Sequence, residues 1–161
     1  MTDEHERNER ERNDLESTVQ RLADLQAINQ LFIVYGAYLD AGDLDAYAEC
    51  FTHDARLLIG PLGRATGRYE IKDTMRAATD RASGNSFHPI TSPRIDLDGD
   101  TATTVVMWTV IVSGSDGRPE LGIIGRHEDF VVSDTDGRWR FRQRKGFVDI
   151  PSAMPRANSG R

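Results

Sequence analysis

The chain has one cysteine, Cys50, which excludes an intramolecular disulfide and a thiolate metal cluster. No apolar run approaches the ~18 residues that a membrane span needs. The first residues lack the apolar core of a secretion signal, so a cytoplasmic location is expected. Positive charge is also scarce, with 20 Lys and Arg against 26 Asp and Glu for a net charge of −6. Nucleic acid and anionic membrane both select for clustered positive charge, so neither is expected as a partner. The one basic run, Arg138 to Lys145, alternates with apolar residues and reads as a strand face. There is no Gly-rich phosphate loop, no nucleophile elbow and no H-E-x-x-H pair. No metal and no cofactor are expected.

What is present fits a single domain, since 161 residues suffice for one hydrophobic core. Residues 1–14 (MTDEHERNERERND) carry no aliphatic or aromatic side chain beyond Met1. Mixed charge without apolar anchors does not offset the entropy of ordering, so this stretch reads as a disordered or frayed arm. From Leu15 to Leu39 the apolar residues recur at helical steps: Leu15, Val19, Leu22, Leu25, Ile28, Phe32, Tyr35, Leu39. Gly42 stops that helix, and Asp43 is a good N-cap for a short second helix from Leu44 to Phe51. Ala55 to Gly60 reads as a short strand, and Gly60, Pro61 and Gly63 mark a turn. Tyr69 to Arg81 reads as a third helix.

Beyond Ser86 the pattern becomes extended. Phe87 to Leu97, Thr101 to Ser113, Glu120 to Val132 and Arg138 to Asp149 read as four long strands. Turns carrying Asp98-Gly99, Asp116-Gly117 and Asp136-Gly137 join them into an antiparallel meander. Residues 151–161 read as a flexible tail, leaving 15–150 as the domain. The expected class is α+β. Its long strands twist into a cone-shaped, mostly antiparallel sheet, with the three helices of the N-terminal half across its concave face. A pocket is expected between the layers.

The segment from Ile33 to Asp54 has tyrosine, paired aspartates, alanine, phenylalanine and a closing Asp-Ala at fixed spacing. It resembles the opening of SnoaL-like domains, in the superfamily named after nuclear transport factor 2. Gly125-Arg-His-Glu-Asp129 and Asp136-Gly-Arg-Trp-Arg-Phe141 resemble the last two strands of that family. The resemblance covers about residues 20 to 150. It implies a small cofactor-independent lyase or isomerase, of dehydratase or cyclase type, acting on a hydrophobic polyketide-, steroid- or terpenoid-like molecule. It also implies a homodimer or homotrimer formed through the outer face of the sheet. The superfamily includes non-catalytic binding modules and the small subunits of ring-hydroxylating dioxygenases, which are the alternatives.

In the dehydrochlorinase and bile-acid dehydratase branch, an Asp ending helix one pairs with a His opening a central strand. Asp40 and His88 stand at the corresponding places here. The resemblance makes His88 the general base and Asp40 the group that orients it. Tyr35, five residues before Asp40, stands where that branch has a Tyr or Lys. A further carboxylate of some dehydratases has no counterpart in Val105 to Val110.

A neutral imidazole accepts protons near physiological pH, and a buried carboxylate stabilises the imidazolium that forms. Tyr35 and Tyr38 can donate hydrogen bonds to a substrate carbonyl or leaving hydroxyl, or pack as core. Phe32 is a further lining candidate on the same helix. Trp108 is either an aromatic wall or sheet packing. His127 and Asp129 share a strand face, as a second polar centre or as a solvated edge. Arg144 stands where some relatives place a pocket cation. The run Arg138, Arg140, Arg142, Arg144 on one face points instead to solvent or a subunit interface.

Overall fold

The computed structural model describes residues 2–60, 63–81 and 86–150. Helix α1 spans Thr2–Ala41, α2 Leu44–Glu49 and α3 Gly67–Arg81. The strands are β1 Phe51–Ile59, β2 Gly63–Thr66, β3 Ser86–Phe87, β4 Ile90–Asp98, β5 Thr101–Ser113, β6 Pro119–Ser133 and β7 Trp139–Ile150. They form one open curved sheet in the order β2-β1-β7-β6-β5, with β3 and β4 both on the far side of β5. Only β1 and β7 pair in parallel; the other pairs are antiparallel. The architecture is thus the α+β cone expected from the sequence.

The expected disordered arm is corrected: residues 2–14 continue α1 as helix. Residues 4–23 are all exposed, so tertiary burial does not hold them. Propagating a helix from a docked segment avoids the nucleation cost. Pairs four residues apart add tenths of a kcal/mol each, here His5–Glu9, Arg7–Glu11 and Arg12–Glu16. Leu15, Val19 and Leu22, expected on the buried face, are 63%, 57% and 61% exposed. Tertiary contact begins at Arg21, whose Nη1 donates to the Leu97 carbonyl at 3.4 Å, and at Asp24, whose Oδ1 accepts from the Trp139 Nε1–H at 3.0 Å. Deleting residues 2–13 is therefore expected to reduce the helical circular-dichroism signal while changing unfolding free energy by under ~1 kcal/mol. A large drop in Tm would contradict this.

Two further boundaries differ. The chain turns extended at Phe51, not Ala55, because Phe51 pairs with Phe141 of β7. The strand expected over Phe87–Leu97 is broken at His88-Pro89, where proline supplies no ladder N–H. The Pro89 carbonyl still accepts from the Thr109 N–H at 3.1 Å. The tail expected at 151–161 lies outside the described residues.

The core sits between the helices and the concave face, centred on Ile28, Phe32 and Tyr35 of α1, Ile71 of α3, and Val106, Val131 and Phe141 of the sheet. On β7 the alternation slips twice, at Asp149 and at Arg142. Phe130 pairs with Gln143 and Val131 with Phe141, so Arg142 is an extra residue without a partner on β6. This bulge reverses the facing of the residues beyond it. Phe141 and Arg144 are both fully buried, while Arg142 is exposed. The four arginines do not share one face. No described helix is long and apolar enough to cross a membrane.

Candidate active site

Helix α1 ends one residue beyond Asp40, because Gly42 adopts φ +70° and returns its N–H to the Leu39 carbonyl at 3.1 Å. The next N–H, of Asp43, reaches the Tyr38 carbonyl at 2.9 Å. Asp43 then caps α2 by accepting the Ala46 N–H at 3.0 Å. Asp40 is left projecting from the last turn toward the β3–β4 break. His88 precedes a proline, which biases its backbone to the extended region. Its N–H therefore stays out of the ladder and donates to both Asp40 oxygens, at 3.0 and 3.2 Å. The His88 ring Nδ1 lies 2.7 Å from Asp40 Oδ1. Three contacts on one carboxylate fix both the backbone and the ring.

Proximity depends on Gly36, one turn before Asp40 on the same helix face. A Cβ there would stand 3.2 Å from the His88 carbonyl oxygen. The missing side chain lets α1 approach the strand break closely enough for a short aspartate to reach. Sequence reasoning missed this residue; the available signal was a glycine four positions before the carboxylate in an otherwise apolar helix. Gly36→Ala is expected to lengthen the Asp40–His88 contact by a few tenths of an ångström, measurable in a crystal structure of the variant.

The dyad is accessible, with side chains 22% exposed for His88 and 17% for Asp40. A carboxylate beside Nδ1 makes that nitrogen the proton donor in neutral imidazole. Nε2 then carries the lone pair.

The other candidates lie deeper and form a second polar cluster. Tyr35 is buried in the core, and its hydroxyl oxygen accepts from the Tyr47 hydroxyl at 3.0 Å. Accepting this bond leaves the Tyr35 O–H free to donate. Tyr47 of α2 is the partner that sequence spacing did not reveal. Phe32 packs on Phe141 with ring centroids 5.8 Å apart, and Tyr38 is half-buried against the core.

Arg144 is completely buried and places its guanidinium 3.9 Å from the Phe141 ring centre and 4.1 Å from that of Tyr35. Its Nε and Nη2 donate to the two oxygens of Asp129, each at 2.8 Å. Thr104 adds a hydroxyl donor to Asp129 at 3.2 Å. His127 stacks on Trp108, with centroids 5.5 Å apart, and lies T-shaped to the Tyr35 ring with centroids 6.2 Å apart. Both members of the His127–Asp129 pair are buried, so the solvated-edge alternative does not hold.

Burial pushes the His127 pKa well below its ordinary value, and the Arg144 charge pushes it further down, with a smaller contribution from His88. The Arg144 pKa is raised: burial opposes the charge, but Asp129 outweighs it. For His127 the unfolded state binds the proton more readily than the native state. Its neutral form therefore supports folding fully above the unfolded pKa of about 6.5, and that support is lost as pH falls below it. The expected slope is up to about 1.4 kcal/mol per pH unit, until the native pKa is reached. Urea titrations from pH 7.5 to 5 are expected to show this slope in the wild type and to lose it in His127→Gln. Equal slopes would contradict the assignment.

A family model described as a SnoaL-like domain matches residues 20–145. The chain belongs to the SnoaL-like domain family. None of the curated proteins matches this SnoaL-like chain. Among solved structures, an NTF2-like protein with a cystatin-like fold from Novosphingobium aromaticivorans is 25% identical. That match covers 86% of this chain and 90% of that one, with a TM-score of 0.79. A candidate scytalone dehydratase from the same organism is 23% identical over 89% of this chain and 99% of that one, with a TM-score of 0.69. ActVI-ORFA of Streptomyces coelicolor is 21% identical over 76% and 93%, with a TM-score of 0.69. These likenesses show the fold, which the 25%-identical structure shares as an NTF2-like protein with a cystatin-like fold.

Proposed function

We propose that this SnoaL-like protein is a cofactor-independent lyase or isomerase, of dehydratase or cyclase type, acting on a hydrophobic polyketide-, steroid- or terpenoid-like compound. The observation that carries this reading is the 2.7 Å bond from Asp40 to His88 Nδ1, which leaves Nε2 as the basic nitrogen of a side chain that is 22% exposed. In the reaction, His88 Nε2 takes a proton from a carbon beside a carbonyl. The C–H electron pair moves into the new carbon–carbon double bond, and the carbonyl π pair moves onto oxygen. Asp40 stabilises the imidazolium. Dehydration, double-bond shift and aldol-type closure differ in what that enolate does next. Descriptions of relatives such as the candidate scytalone dehydratase favour this class.

A second copy is proposed to seat on the outer sheet face. There Arg94, Asp96, Glu128 and Lys145 border a groove of about 690 Å³ that also includes Val105 and Phe130. Both charge signs and apolar surface are present, as a self-complementary interface needs.

The catalytic test does not require the natural substrate. 2-Tetralone is a neutral bicyclic ketone whose C1–H lies between a benzene ring and the carbonyl. In D₂O, the wild type is expected to accelerate exchange of that hydrogen over the rate with His88→Ala. Equal rates would remove the base from the mechanism and leave a binding module.

A further inference from the structure

We propose that residues 4–23 of α1 form an arm that lies across the outer sheet face of a second copy of this chain, the two copies exchanging arms reciprocally. This rests on the seating of a second copy on that face and names the segment that fills it. Steps of three and four residues line up Glu4, Asn8, Glu11, Leu15, Val19 and Leu22 on one face of the arm. Its apolar half is 63%, 57% and 61% exposed at Leu15, Val19 and Leu22, and nothing described in the same copy covers it. The family model begins at residue 20, so most of this face precedes the domain that relatives share.

The charge of the arm selects its partner. Residues 4–16 hold six carboxylates against three arginines, a net charge of −3. Two arms side by side in parallel would set Glu4 and Glu11 against their own counterparts. Antiparallel, the carboxylates of one arm would meet the leucines of the other. Neither pairing is favourable. The arm fits a surface that offers both apolar groups and free cations.

The outer sheet face offers both. One row of paired residues runs across six strands: Arg64 of β2, Leu58 of β1, Lys145 of β7, Glu128 of β6, Val105 of β5 and Arg94 of β4. The last four border the groove where the second copy seats. Glu128 is already paired, with Arg126. Arg64, Lys145 and Arg94 make no ion pair among the described residues, and neither does Arg56 in the adjoining row, which Phe130 shares. The lengths agree. A twenty-residue helix is ~30 Å long, and six strands span ~24 Å. A helix face ~10 Å wide, buried on both partners in each of two reciprocal contacts, gives about 1,200 Å², the lower end of stable interfaces. The arm does not reach its own outer face, because α1 runs on unbroken into the core at Ile28 and Phe32 on the inner side. Exposed ion pairs add little affinity. The contact is therefore held by Leu15, Val19 and Leu22, beyond the residues 2–13 whose deletion is expected to leave stability nearly unchanged, and the charges set its orientation.

Sedimentation of the full chain, together with disulfide trapping, tests the arm. The wild type is expected to sediment as a dimer. Leu15→Glu with Val19→Glu is expected to raise the dimer dissociation constant at least tenfold. Arg56→Glu with Arg64→Glu is expected to raise it at least threefold at low ionic strength. All four positions are exposed, so each variant is expected to keep the wild-type near-ultraviolet tryptophan spectrum. Trapping leaves the contact intact: Val19→Cys protein mixed with Leu58→Cys protein and oxidised glutathione is expected to form the disulfide between positions 19 and 58, while the native Cys50 stays buried. A wild type that stays monomeric overturns both the arm and the second copy. A dimer that survives the arm substitutions, without the 19–58 disulfide, defeats the arm alone and leaves the second copy in place. A disulfide between two copies of position 19 instead of 19–58 would show arms paired with each other and overturns the proposal.

Discussion

His88→Ala is expected to slow deuterium exchange of 2-tetralone by about 10²–10⁴-fold, the usual contribution of a positioned general base. Alanine removes the imidazole; the Asp40 carboxylate that remains stands behind the vacated ring, and the adjoining strand segment Val105-Val-Met-Trp-Thr-Val110 carries no other. Asp40→Asn should cost less than His88→Ala, because the imidazole remains and only its orientation and countercharge change. An asparagine can still accept one of the contacts now made by the His88 N–H and Nδ1. Asp40→Ala removes all of them and is expected to approach the His88→Ala rate. Far-ultraviolet spectra identical to wild type would assign these losses to chemistry. A rate for Asp40→Ala equal to wild type would show that the ring needs no orienting group.

Asp129→Ala is expected to have the largest effect on stability, a loss of about 3–5 kcal/mol. The reason is what it leaves behind: an Arg144 guanidinium with no exposure, between aromatic rings, without its bidentate partner. The double variant Asp129→Leu with Arg144→Met should recover most of the loss, because an apolar pair of similar volume commonly equals a buried ion pair. Chemical denaturation of both variants measures the difference. A double variant as unstable as Asp129→Ala would mean that packing, not the uncompensated charge, causes the loss.

The parts of this structure that were legible in the sequence are those set by short-range rules. Apolar residues at steps of three and four fixed the docked half of α1, and Asp-Gly pairs marked the hairpins of the meander. Asp40 and His88 were paired through the family resemblance, and each stands at an element boundary that its neighbours mark: Gly42 after one and Pro89 after the other. What lay beyond reach depended on long-range fit. The bulge at Arg142 has no local signature, and without it the alternating arginines appear to share a face. One extra residue sends Arg144 into the core, where it meets Asp129 across the β6–β7 pairing. That α2 folds back to give Tyr35 a hydrogen-bond donor in Tyr47 was likewise not visible in the spacing. The charged start of α1 was misread for a different reason. Absence of apolar anchors argues against independent folding, whereas this stretch extends a helix already anchored at Asp24 and beyond.

Whether Asp40 sets His88 up as a base can be measured without any substrate. Long-range ¹H–¹⁵N correlation spectra of the imidazole near neutral pH distinguish a protonated ring nitrogen from one with a free lone pair. The 2.7 Å contact predicts His88 with the proton on Nδ1 and the lone pair on Nε2, and loss of that preference in Asp40→Ala. A proton on Nε2 in the wild type, or the same tautomer in both proteins, would contradict it.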